Sequence, residues 1–218
     1  MTTEQRASWS ATHPPPRPRP TLTQGGALRA RDLRLRLELL SALHGGTIAA
    51  NCTCDGCGEE IDLREAFAAN ARDDRGVIAF PHCERGSARI WIHAERGFQA
   101  QLAKGGMLLT REAVLRQLPS FGSREMPPHV ECSLLAHFGS AWAAWREVAR
   151  RSPSLAITPT RMPLPWWREK ATPFLGRLPD AAIGNCCEMS ADAVRDLRRG
   201  LGIPAHTVVL GLTELCVL

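Results

Sequence analysis

The chain has 218 residues, 44% of them apolar and 22% charged, a balance that excludes a wholly disordered or fibrous protein and suffices to bury a core without cysteine staples. Its formal net charge of +5 is mild, too weak by itself to indicate a nucleic-acid partner. Arginine supplies almost all of the positive charge, since Lys104 and Lys170 are the only lysines. Codon usage in a GC-rich genome accounts for that bias as readily as a phosphate-binding surface does.

Residues 1–25 carry the run Pro14-Pro15-Pro16-Arg17-Pro18-Arg19-Pro20 and lack the apolar core of a secretion signal. They are expected to form a disordered Pro/Arg-rich tail, because proline removes donors and little here can be buried. Eight cysteines without a secretion signal predict a reducing, cytoplasmic setting with free or metal-bound thiols. No apolar run approaches the ~20 residues that span a bilayer, so no membrane partner is expected.

Residues 27–43 satisfy two patterns. Leu33, Leu35, Leu37 and Leu39 alternate with charged residues as in a strand, while Leu33, Leu37 and Leu40 share one helical face. The abundance of Leu, Arg, Ala and Glu favours a helix, ended by Gly45-Gly46. Thr47 to Cys52 reads as a short strand, residues 62–71 as a short helix, and Asp73 to Gly76 as a turn. Val77–Phe80 and Arg89–His93 read as the two strands of a hairpin flanking Cys83. Thr110 can cap a helix carrying Val114, Leu115 and Leu118, which Pro119 should stop. A single helix is expected from about Val130 to Arg151, with Leu134, Leu135, Phe138, Trp142, Trp145 and Val148 on one stripe. Six prolines mark residues 153–180 as a linker or an extended wrapping segment. Ser190 should cap a further helix, and His206–Leu210 reads as a strand. The expected organisation is an α+β protein. A zinc-binding hairpin module spans 26–105, a helical segment 106–152, and a helix–strand unit 181–218.

The chemistry concentrates in Cys52-Thr53-Cys54-Asp55-Gly56-Cys57-Gly58, answered downstream by Pro81-His82-Cys83 and by His93. Thiolates two residues apart on a tight turn suit a tetrahedral zinc ion, and amides in the turn can orient the sulfurs. Cys54-x-x-Cys57-Gly58 resembles one knuckle of the zinc-ribbon and treble-clef modules. Phe80-Pro81-His82-Cys83 resembles the second knuckle, with Phe80 where its first cysteine belongs. That resemblance implies a zinc held by Cys54, Cys57 and Cys83, with His93 ranked first as fourth ligand, then His82, then Cys52. A closed shell of four protein ligands would be structural. A deaminase-like site would need the His93-Ala94-Glu95 string before a cysteine pair, and here it follows Cys83.

Arg85, Arg89, Trp91 and Arg96 surround the expected hairpin, where arginine beside tryptophan can hold phosphate and stack a base. The alternative is that Trp91 packs on a neighbouring helix and the arginines are solvated. The leucine-rich helix, glycine break, CxxCG and the stretch Glu59-Glu60-Ile61-Asp62-Leu63 are similar to zinc-knuckle proteins of phage baseplate assembly. This second resemblance implies a structural zinc. Leu210-Gly211-Leu212-Thr213-Glu214-Leu215 is similar to a signature of aspartate/glutamate-type racemases, but Leu212 stands where a catalytic cysteine belongs. Phosphate loops, dinucleotide fingerprints and nucleophile elbows are absent from the sequence, so no catalytic residue is assigned. The expected function is a zinc-binding module that engages nucleic acid or a protein partner, and an assembly factor is the alternative.

Overall fold

In the computed structural model, residues 24–69, 72–95, 105–122, 126–155 and 161–207 are described. The tail expected over 1–25 lies almost wholly outside them, as do Arg96 and the racemase-like string. The fold is α+β, an antiparallel sheet covered by helices.

Helix α1 (Gln24–His44) runs through the middle of the main core. Its leucines at 33, 35, 37, 39, 40 and 43 are all buried, so neither a single stripe nor a strict alternation describes them. A helix lined with leucine on most sides is one packed on most sides, and α1 meets the sheet, the next helix and three helices from the C-terminal half. Gly45, at φ +68°, ends it as expected, its amide donating to the Ser41 carbonyl at 3.0 Å. Ser41 Oγ donates to the Leu37 carbonyl at 2.8 Å and accepts from the Ile48 amide at 2.9 Å, which ties the helix end to the first strand.

Strands β1 (Ile48–Cys54), β2 (Ala79–Cys83) and β3 (Gly86–Ala94) lie in the order β1-β3-β2, and β4 (Gly106–Met107) adds to β3. All pairs are antiparallel. Alternation sorts the faces. Ile48, Cys52, Cys54, Ala88, Ile90, Ile92 and Ala94 point into the main core with α1 and with helix α2 (Leu63–Ala69). Asn51, Thr53, Arg89 and Trp91 are half-buried on the opposite face, where His93 is exposed.

A second apolar cluster joins Val77, Ala79 and Leu109 to three helices: α3 (Arg111–Phe121), α4 (Pro128–Phe138) and α5 (Ala141–Arg151). Thr110 caps α3 as expected, its hydroxyl accepting from the Ala113 amide. Pro119 does not stop α3, which continues to Phe121. Proline there removes one amide donor from the ladder, and the helix ends two residues later.

The single helix expected from Val130 to Arg151 is two helices. Gly139 sits in the left-handed region at φ 84°, its amide closing on the Leu135 carbonyl, and Ser140 then caps α5 by accepting from Ala143. A Cβ on Gly139 would lie 2.7 Å from Cys186 Sγ, so close approach of another helix also requires glycine here. The apolar stripe is the sum of two shorter ones. Trp145 is buried, and Trp142 is half-buried between the guanidinium groups of Arg146 and Arg161 at 4.4 and 5.4 Å.

The proline-rich stretch contributes to the main core. Within it lie a short helix α6 (Trp167–Ala171) and a 3-10 turn (Thr172–Phe174). Trp167, Ala171, Phe174, Leu175 and Leu178 are buried there, beside Ile183 and Cys187 of α7 (Asp180–Cys187). Proline stops long helices but leaves side chains between the breaks free to be buried. Helix α8 (Ala191–Gly200) is capped by Ser190, as expected. His206 and Thr207 are in neither helix nor strand, and residues 208–210 of the expected strand lie outside the described residues. No helix among the described residues is long and apolar enough to cross a membrane.

Candidate metal centre

The cysteine turn forms at the end of β1. The Cys54 amide donates to the Glu59 carbonyl and the Gly58 amide returns to the Cys54 carbonyl, both at 2.9 Å. Gly58 takes φ +75°, a conformation that a side chain would strain. The turn lies flat on the β2–β3 hairpin. A Cβ on Gly56 would come within 2.5 Å of the Gly86 amide nitrogen and 2.8 Å of Cys83 Sγ. Asp55 fastens the two turns together: its Oδ1 accepts from the Ser87 amide at 2.7 Å, and its carboxylate pairs with Arg89.

The second half of the site depends on an irregularity. Pro81 pairs with Ser87 and Cys83 with Gly86, so the register shifts between Pro81 and Cys83. In a regular strand, His82 and Cys83 would point to opposite faces. An extra residue at a bulge re-aims a side chain, and here both neighbours reach toward the cysteine turn. The donor atoms of Cys54, Cys57 and His82 lie within 4.8 Å of one another, and Cys83 Sγ is 3.7 Å from Cys54 Sγ.

These distances suit a metal. Two sulfurs each about 2.3 Å from a tetrahedral zinc stand about 3.8 Å apart, close to the Cys54–Cys83 separation. His82 Nε2 is 2.9 Å from Glu59 Oε2. With Nε2 so engaged, Nδ1 is the ring nitrogen left for an ion, and a carboxylate behind a ligating histidine fixes its tautomer and strengthens it. Burial raises the Cys54 thiol. Hydrogen bonds from the Cys57 and Gly56 amides and from the neighbouring thiols outweigh that and leave it below the ordinary cysteine value. The Glu59 amide pulls Cys57 down, but burial and the adjacent Cys54 sulfur hold it above the ordinary value.

Of the residues expected at this site, the structure brings Cys54, Cys57 and Cys83 together. It does not bring His93. In the β1–β3 register Cys54 stands opposite Ala88, while His93 stands opposite Ala49 at the far end of the strand. Five residues of strand separate those positions by about 17 Å, and His93 Nε2 bonds Asn51 Oδ1 at 2.8 Å instead. Cys52 is buried opposite Ile90, its thiol pushed up to about 12, chiefly by burial and then by Cys54 and Glu65. It behaves as a packed core thiol. His82, ranked behind His93 from the sequence, is the histidine beside the sulfurs. Asp55 and Glu59 were not singled out, and only the folded turn reveals what they touch. Arg85 is exposed at the hairpin tip, Arg89 is half-buried on Asp55, and Trp91 is half-buried opposite Asn51.

Glu59→Gln keeps the side chain's shape and removes its charge. It is expected to weaken zinc binding by ~10-fold or more while leaving the stoichiometry unchanged. Competition against a colorimetric chelator measures this.

What the fold and site define is an α+β protein with a Cys/His cluster able to hold a metal ion. Comparison with protein-family models, with curated proteins and with solved structures finds no match.

Proposed function

We propose that this chain is a zinc protein whose ion, held by Cys54, Cys57, Cys83 and His82, serves structure, and that the sheet beside it is a binding surface. The observation that carries the metal assignment is the grouping of the Cys54, Cys57 and His82 donor atoms within 4.8 Å of one another, with Cys83 Sγ 3.7 Å from Cys54 Sγ, on two turns fastened by Asp55. Four protein ligands leave no open position for substrate or activated water, which favours binding over catalysis. Support for the surface comes from the face opposite the core, where Arg89, Trp91 and His93 follow one another at every second residue of β3. Asn51 and Thr53 lie beside them on β1. A half-exposed tryptophan among donor side chains suits stacked bases of single-stranded nucleic acid. Because Asp55 neutralises Arg89, the electrostatic share of binding is small and stacking carries more of it.

Binding of a fluorescent oligothymidylate tests this reading. Zinc-loaded wild type is expected to bind at low salt, and Trp91→Ala to weaken binding by about 5–100-fold, as loss of one stacked base does. The logarithm of affinity should fall only gently with the logarithm of salt, by a slope of about one or two. No binding at low salt, or binding indifferent to Trp91, would overturn the nucleic-acid reading and leave a protein partner as the remaining candidate.

A further inference from the structure

Beside α1 lies a cleft of about 630 Å3. That volume falls within the range of small-molecule sites. Its floor is apolar, made by Leu33 of α1, Phe67 of α2 and Ile78 before β2. Its rim is basic. Arg29 and Arg36 reach it from α1, Arg72 from the turn before β2, and Arg111 from the start of α3.

Two carboxylates, Asp32 and Glu112, border the cleft beside the guanidinium groups of Arg36, Arg72 and Arg111, the last of them 3.9 Å from Glu147 outside the cleft. Glu112 is already engaged by Arg151, at 2.6 and 3.2 Å. Arg36 is fixed in place, its Nη1 donating to the carbonyls of Ala136 and His137 at 2.7 and 2.8 Å. Arg111 rests its guanidinium 4.9 Å from the centre of the Phe138 ring and remains half exposed. Thr110 and Arg111 open α3 on the same cleft, so the positive end of that helix faces it as well.

A basic rim over an apolar floor is a two-part recognition surface. The rim selects a doubly charged anion, since guanidinium groups match phosphate oxygens in pairs. The floor selects a flat or apolar body joined to that anion. Inorganic phosphate would use only the first part, and an uncharged aromatic only the second. We propose that this cleft binds an aromatic phosphate monoester, of the size and chemistry of a nucleoside monophosphate. The site shares no residue with the metal cluster, so the two readings stand or fall separately.

Isothermal titration of the full chain with phenyl phosphate, AMP, adenosine and inorganic phosphate tests the proposal. Phenyl phosphate or AMP is expected to bind with a dissociation constant below about 1 mM, at least ~10-fold tighter than adenosine or inorganic phosphate. Arg72→Gln changes an exposed side chain and should leave the thermal melt unchanged, while Arg111→Gln also gives up the Phe138 and Glu147 contacts, so its melt is recorded beside its affinity. Each is expected to weaken the phosphate ester by about 5-fold or more, on the scale of one charge-assisted hydrogen bond. Three results would overturn the proposal: no binding of either ester up to about 5 mM, esters no tighter than inorganic phosphate, or affinity unchanged in both variants.

Discussion

Replacing Cys54 with serine is expected to abolish stoichiometric zinc binding and to lower the melting temperature of the chain. Cys54 is the innermost of the clustered donors, 1% exposed, and its sulfur lies against Cys83 and takes hydrogen bonds from the Cys57 and Gly56 amides. A hydroxyl at that position offers no thiolate, so the stabilisation that a bound zinc lends to the two turns is forfeited. The main core does not rest on the ion, because α1 and the inner sheet face pack as ordinary apolar surfaces. The helical circular dichroism signal should therefore largely survive in the variant. The damage should localise to the two turns, where proteolysis becomes faster at residues 55–59 and 82–86. Metal analysis of purified wild type should give one zinc per chain. A wild type without zinc, or a Cys54→Ser protein that retains it, would remove the metal from the account of this fold.

Acidification from pH 6.5 to pH 4 is expected to cost stability on the order of 3 kcal/mol through His137 alone. The imidazole is half-buried at the end of α4, its Nε2 2.6 Å from the Leu109 carbonyl, and Arg36 and Arg111 stand nearby. Burial lowers its pKa most. The Leu109 carbonyl raises it, the two guanidinium groups lower it further, and the result is about 4. The unfolded chain, with an ordinary imidazole near 6.5, binds the proton first as pH falls. Stability from the neutral histidine is thus complete above pH 6.5, declines through the window, and is gone below pH 4. His137→Gln keeps a neutral hydrogen-bonding side chain and should flatten that part of the profile. Urea denaturation of zinc-loaded wild type and variant at half-unit steps of pH isolates the difference. Parallel profiles would show that His137 reaches water in the folded chain.

Most of the short elements were legible because their signals are local. Thr110 and Ser190 each cap a helix through the hydroxyl that marks them, and the hairpin around Cys83 follows from two apolar runs separated by a turn. The broken helix at Gly139 was not, because two stripes that happen to share a phase read as one. The reason for the break is the distant Cys186, which local periodicity cannot carry. Prolines marked residues 153–180 as non-helical, yet whether such a segment is solvated or buried depends on what Trp167, Phe174 and Leu178 meet. In the candidate metal centre the three clustered cysteines were visible from spacing. The choice of His82 over His93 was hidden because it rests on a register shift of one residue, and regular alternation argues against it. His93 is the nearer histidine only if the strand is imagined to fold back.

The place of α1 bears on how the protein is made. Its leucines leave the ribosome well before the residues that cover them, and Trp166 Nε1 finds the Leu43 carbonyl across a separation of 123 positions. Ile183, Cys187 and Val194 close the same core later still. Until then a nascent chain presents a helix greasy on most of its circumference, with only α2 and the sheet to shield it. Contacts this far apart in sequence form slowly, and collapsed intermediates with exposed apolar surface are the ones that aggregate. Production of this protein should therefore respond more to growth temperature and chaperone supply than to zinc in the medium, and chains truncated before α6 should accumulate in the insoluble fraction.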